Sequence, residues 1–137
     1  MHLLLRDRRS RELGFTLIEL LIVVSLIVVL ATISLATYHN SVQRGREAVL
    51  KEDLYRMRDA IDQHFADKGK YPTTLEDLVS AGYLRAVPVD PITQSATTWQ
   101  TIQAEPDPTN PTTEPGVYNV KSGAEGEALD GSKFSEW

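Results

Sequence analysis

A single carboxylate heads a long uncharged stretch: Glu19 is followed by residues 20–43, which contain no Asp, Glu, Lys or Arg. A carboxylate beside so apolar a segment is costly to desolvate, so its presence points to a partner. Residue chemistry alone leaves two roles open. Glu19 either complements the helix dipole from a first turn while reaching for water, or it pairs with a cation brought by another molecule. A second set of oxygens lies near the C-terminus, where Glu125 and Asp130 stand among Gly123, Gly126 and Gly131. Hard cations such as calcium take several oxygens on a flexible, glycine-bearing turn, and an unliganded acidic loop is the alternative. His2, His39 and His64 show no metal-ligand spacing, and His64 reads as a surface or semi-buried polar residue. The chain has no Cys, which excludes a thiol nucleophile, a disulfide scaffold and Cys-ligated metals. Nucleophile, P-loop and dinucleotide motifs are absent, so an enzyme is not expected.

The elements that must position Glu19 begin with the apolar segment itself. Residues 15–38 as a helix would measure roughly 36 Å at about 1.5 Å per residue, enough to cross a hydrocarbon core of about 30 Å. A strand there would leave backbone groups unpaired in lipid, so helix is expected. The first fourteen residues carry Arg6, Arg8, Arg9 and Arg11 against Asp7 and Glu12, in a chain whose net charge is -5. That arginine cluster places the N-terminus in the cytoplasm and exports the body. The acidic body has its Lys and Arg interleaved with carboxylates and lacks a positive stripe for phosphates, so nucleic acid is not an expected partner. A chain of 137 residues, 42% hydrophobic and 24% charged, allows one small domain beyond the membrane segment.

Beyond residue 38 the apolar positions Leu50, Leu54, Met57, Ile61 and His64 recur at spacings of four and three, with Val42 upstream and Phe65 beside the last. This is one face of an amphipathic helix. Met57 and Phe65 are expected in the core, while Lys51, Glu52, Arg56, Asp59 and Asp62 form the solvated face. Gly69 and Pro72 end the helix, which runs from about residue 15 to about residue 67; whether it stays continuous around Gly45 is left open. Thr73 with Glu76, or Thr74 with Asp77, offers a capping box for a short helix over Leu75, Leu78 and Val79 that stops at Gly82. Residues 99–102 and 117–120 are the strand candidates, separated by a proline-stiffened surface loop at 105–115. Phe134 and Trp137 fold back as apolar plugs.

The run Gly14, Phe15, Thr16, Leu17, Ile18, Glu19, Leu20, Leu21, Ile22, Val23 closely resembles the class III signal of type IV pilins and type II secretion pseudopilins. The resemblance implies that a prepilin peptidase removes residues 1–14 by cutting between Gly14 and Phe15. Phe15 would become the N-methylated terminus. Its amine, with a reference pKa of about 8, would pair with Glu19 of a neighbouring subunit. Two charges that are each expensive in lipid become tolerable together, and a subunit docked one turn off would leave both unpaired.

The stretch from Lys68, Gly69, Lys70, Tyr71 and Pro72 through Tyr83 and Leu84, followed by Val87, Pro88, Val89, Asp90 and Pro91, is similar to the region after the spine helix in G-type major pseudopilins. The resemblance implies a type IV pilin-like α+β fold: a long N-terminal spine helix with a small antiparallel sheet and a loop-rich C-terminal domain. It divides the chain into a leader at 1–14, a transmembrane half-helix at 15–38 and a periplasmic domain at 39–137. It also implies a calcium-binding loop, which would fall on Glu125 and Asp130. The partners implied are other copies of the chain in a filament, minor pseudopilins, the prepilin peptidase and an inner-membrane assembly platform. Subunit addition driven by a cytoplasmic ATPase would then push folded proteins through an outer-membrane channel. Two other functions stay in view: a surface pilin for adhesion, motility or DNA uptake, and a soluble exported binding module cut after Ala36 by an ordinary signal peptidase.

Overall fold

The computed structural model describes residues 14–112 and 115–137. Helix α1 covers Leu17–Lys68. Thr16 caps it: the Glu19 N–H donates to the Thr16 hydroxyl at 3.1 Å, and the Leu20 N–H donates to the Thr16 carbonyl at 3.1 Å. Glu19 thus sits in the first turn, where a negative charge meets the helix's exposed N–H groups. The helix continues through Gly45. It ends where Gly69 adopts a φ of +68°, a left-handed value natural to glycine, with its N–H on the Phe65 carbonyl at 2.8 Å. The chain divides into two compact units, Met1–Tyr38 and His39–Trp137.

In the first unit every described residue is exposed. Three of its hydroxyl groups find partners along the helix: Ser25 donates to the Leu21 carbonyl (2.7 Å), Thr32 to Val28 (2.8 Å) and Thr37 to Ile33 (3.1 Å). This back-bonding lets a polar residue sit in an apolar setting without an unmet donor. By length and composition the segment can cross a membrane, and none of its most apolar window is buried.

The second unit holds the core. Leu50, Leu54, Met57, Ala60 and Ile61 of α1 are buried as the periodicity predicts, and pack with Leu75, Leu78, Trp99, Val117, Val120, Ala124, Ala128 and Phe134. The opposite face of α1, with Lys51, Glu52, Arg56, Asp59 and Asp62, is exposed. Helix α2 spans Leu75–Ser80, and of the two capping arrangements the structure adopts the second: Asp77 Oδ2 accepts the N–H groups of Thr73 and Thr74 at 3.0 and 3.2 Å. Gly82, at φ +86°, turns the chain out, and the Tyr83 N–H closes the helix on the Leu78 carbonyl at 2.9 Å.

Strands β1 (Gln100–Gln103) and β2 (Val117–Lys121) pair antiparallel, Thr101 facing Val120 and Ile102 facing Asn119. The register shifts between Ile102 and Gln103, a bulge that leaves Tyr118 on the outside while Val117 and Val120 face the core. Gly116 and Gly123 flank β2. A Cβ on Gly116 would lie 2.6 Å from the Tyr71 carbonyl oxygen, and one on Gly123 would collide with the Thr98 carbonyl. Phe134 opens a short 3₁₀ turn, Phe134–Glu136, and meets Trp137 edge to face at 5.2 Å, so the expected plug forms.

Three side chains depart from expectation. Phe65 is 44% exposed rather than in the core; its ring stacks on Tyr71 at 4.4 Å on the surface. His64 is 4% exposed rather than semi-buried, because its Nδ1 bonds the Lys70 carbonyl at 2.8 Å and its ring meets Tyr83 edge on. Val42, upstream on the same stripe, is exposed.

Candidate functional site

Of the expected leader at 1–14, residues 1–13 lie outside the described residues. Its junction does not: Gly14, Phe15 and Thr16 precede α1 outside any helix or strand, and Phe15 is 85% exposed. A peptide bond in such a segment can enter a protease cleft without local unfolding. One residue later Thr16 starts the helix, so the rigid element begins immediately after the exposed Phe15. Glu19 is exposed in the first turn. Its backbone N–H is taken by Thr16, while its carboxylate makes no hydrogen bond or ion pair among the described residues. The site therefore offers an exposed aromatic residue, a helix start and an acid without a partner, four positions apart. Ser34, Leu35 and Ala36, the alternative cleavage motif, lie inside α1.

Behind Glu19 the apolar surface has no cover among the described residues. Leu20, Leu21, Leu26, Ile27, Val28, Val29, Leu30 and Ile33 are each more than half exposed. An apolar face this large marks a membrane or protein contact.

In the second unit, Glu125 and Asp130 lie on either side of residues 126–129. No three His, Cys, Asp or Glu side chains gather into a candidate metal group among the described residues. Asp130 Oδ1 is already engaged by the N–H and hydroxyl of Ser132, at 2.9 and 2.6 Å. These bonds, chiefly the hydroxyl, hold the Asp130 carboxyl below its ordinary range, with the Lys51 charge helping. Glu125 lines a shallow depression together with Lys133, whose ammonium opposes a cation there. Calcium takes six to eight oxygens, and no third possible ligand of this kind joins Glu125 and Asp130 among the described residues.

Two residues that the sequence analysis did not single out, Glu47 and Arg58, organise this part of the molecule. Glu47 Oε1 accepts the Leu129 N–H at 2.8 Å and the Gln43 amide at 3.3 Å. Arg58 donates to Asn119 Oδ1 (2.9 Å), to the Val120 carbonyl (2.9 and 3.3 Å) and to the Trp137 backbone oxygen (2.7 Å). Asp90, within a motif the sequence singled out, proves to be a fully buried structural acid. Its Oδ1 accepts the N–H groups of Ile92 and Thr93, and its Oδ2 accepts the Ser122 hydroxyl at 2.5 Å. Only their sequence separation hid these contacts.

Comparison with known proteins gives a consistent picture. Residues 9–35 match the family described as the prokaryotic N-terminal methylation motif. The chain is 31% identical over 98 residues to type II secretion system core protein G of Klebsiella pneumoniae, covering 60% of this chain and 70% of that protein. It is also 31% identical over 100 residues to the core protein G of Pseudomonas aeruginosa, covering 61% and 70%. Fimbrial protein EcpC of Eikenella corrodens is 35% identical over 74 residues, 54% of this chain and 46% of that protein. No solved structure matches the chain. The long apolar N-terminal helix, the small antiparallel sheet and these relatives together fit a type IV pilin-like α+β fold, and the chain belongs to the type II secretion system core protein G family.

Proposed function

We propose that this chain is the structural subunit of a type II secretion pseudopilus, cut between Gly14 and Phe15 by a prepilin peptidase and N-methylated at Phe15. The observation that carries this reading is the exposed Gly14–Phe15 junction set directly ahead of a capped helix whose first turn holds a carboxylate with no partner among the described residues. Cleavage there frees an amine, and the amine of one subunit neutralises Glu19 of the next in a low-dielectric bundle. The apolar half of α1 anchors the subunit in the inner membrane, with the N-terminus cytoplasmic and the His39–Trp137 unit periplasmic. Packing of these helices between subunits builds the filament, and its growth drives export of folded proteins across the outer membrane. Minor pseudopilins and an inner-membrane platform are the further partners. The role is structural, in keeping with relatives named as a secretion core protein and as a fimbrial protein.

The test is the N-terminal mass of the protein purified from membranes of a host that has its prepilin peptidase. A mature chain beginning at methylated Phe15 is expected. A chain beginning at Thr37, or one retaining Met1, would overturn the proposal. The similarity to fimbrial protein EcpC favours one second reading, a subunit of a surface pilus. Deletion separates the two: loss of exported proteins from the medium supports secretion, whereas loss of surface filaments with export intact supports the pilus.

A further inference from the structure

No group of three metal-ligating side chains gathers at 125–130 among the described residues, and the segment is held by contacts of another kind. The turn is closed internally by the Ala128 N–H on the Ser132 carbonyl (2.7 Å), the Gly131 N–H on the Ala128 carbonyl (3.0 Å) and an antiparallel bridge between Glu127 and Lys133. It is fixed to α1 from outside by Glu47, whose carboxylate takes the Leu129 N–H. One helical turn further along, Lys51 acts electrostatically on Asp130 and lies 4.5 Å from the centre of the Trp137 ring. Residues four apart on a helix share a face, so Glu47 and Lys51 meet the loop side by side. A divalent cation in a loop of this kind would do two things: draw carboxylates together and fix the loop's position. Here a helix carboxylate fixes the loop through its backbone, and a helix ammonium lies over the Trp137 ring, whose N–H donates to the Ser132 hydroxyl of the same loop at 2.8 Å.

We propose that the Glu47 and Lys51 side chains form a clasp that takes the place of a divalent cation, so that the C-terminal loop folds and stays docked without calcium. The reasoning concerns only the His39–Trp137 unit and holds whichever filament the chain builds.

The experiment is thermal unfolding of the full chain in detergent micelles, followed by near-ultraviolet circular dichroism of its tryptophans, with excess EGTA and with millimolar calcium. The wild-type midpoint is expected to be the same in both. Glu47→Ala removes the acceptor for the Leu129 N–H and is expected to lower the midpoint by about 5 °C, equally with and without calcium. Glu47→Gln keeps a carbonyl oxygen at the same reach and should recover most of that loss. A wild-type midpoint that rises with calcium and falls with EGTA would overturn the proposal, the more so if Glu47→Ala abolished the rise, since Glu47 would then be a ligand. A Glu47→Ala midpoint equal to wild type would overturn it from the other side.

Discussion

Replacing Arg58 with methionine should destabilise the His39–Trp137 unit by about 2–3 kcal/mol, a figure that follows from its contacts. The guanidinium reaches three acceptors: the Asn119 side-chain oxygen, the Val120 carbonyl and the Trp137 backbone oxygen. Each such bond contributes about 1 kcal/mol net, more where the donor is charged. The site is half-buried, which limits the loss in two ways. Water can reach the freed oxygens in the variant, and Asn119 keeps its bond to the Val120 N–H at 2.8 Å. Burial also costs the charge itself something, since desolvation pulls the Arg58 pKa down. Methionine keeps the apolar stem packed, so the loss reports on the hydrogen bonds rather than on a cavity. Thermal unfolding in micelles is the assay, and a fall of roughly 10 °C is expected for a unit of this size. Arg58→Lys, with a point charge and no planar fork, should recover less than half. A midpoint for Arg58→Met within about 1 °C of wild type would refute the reasoning, because three partners would then have been lost without effect.

Glu19→Leu should leave membrane insertion intact and abolish filament assembly, seen as normal protein in the membrane fraction with no sedimenting polymer; normal filaments would remove the pairing role. Asp53 supplies a pH test. Its carboxyl is pushed up by burial, with Asp90 and Glu52 adding to the rise and Arg56 opposing it. The folded state therefore binds the proton more tightly than the unfolded chain, and stability falls as pH rises from the ordinary carboxylate value of about 3.9 through the raised one. Asp53→Asn should remove that fall and melt higher than wild type at pH 7, with the advantage vanishing below pH 4 as judged by melts across the acid range.

Local pattern made most of the scaffold legible. The buried stripe from Leu50 to Ile61 follows from helical periodicity, the start of α2 from the spacing of Thr74 and Asp77, and both strands from β-branched and aromatic runs. The N-terminal element was legible too, since its residues are contiguous. What escaped depends on distant partners. Arg58 acts on residues 61 to 79 positions away, Glu47 on one 82 away, and Ser122 meets Asp90 across 32. Nothing in the local sequence separates these side chains from solvated neighbours such as Arg56 and Glu52, which pair with each other at 2.9 Å on the surface. Phe65 was misplaced for the same reason: Tyr71, beyond the helix end, captures its ring outside the core.

The hydroxyls of Ser25, Thr32 and Thr37, turned back onto their own helix, have a consequence for helix packing. With these three hydroxyls satisfied internally, the segment presents nearly the same apolar surface to acyl chains as to a wall of sister helices. Moving from one medium to the other breaks no hydrogen bond along the span, so neither medium traps the subunit. Glu19 differs, and the proposed pairing would make one medium preferable for it. Helix packing on such a surface is an exchange between two solvents which, under the proposed pairing, is decided at one end of the helix.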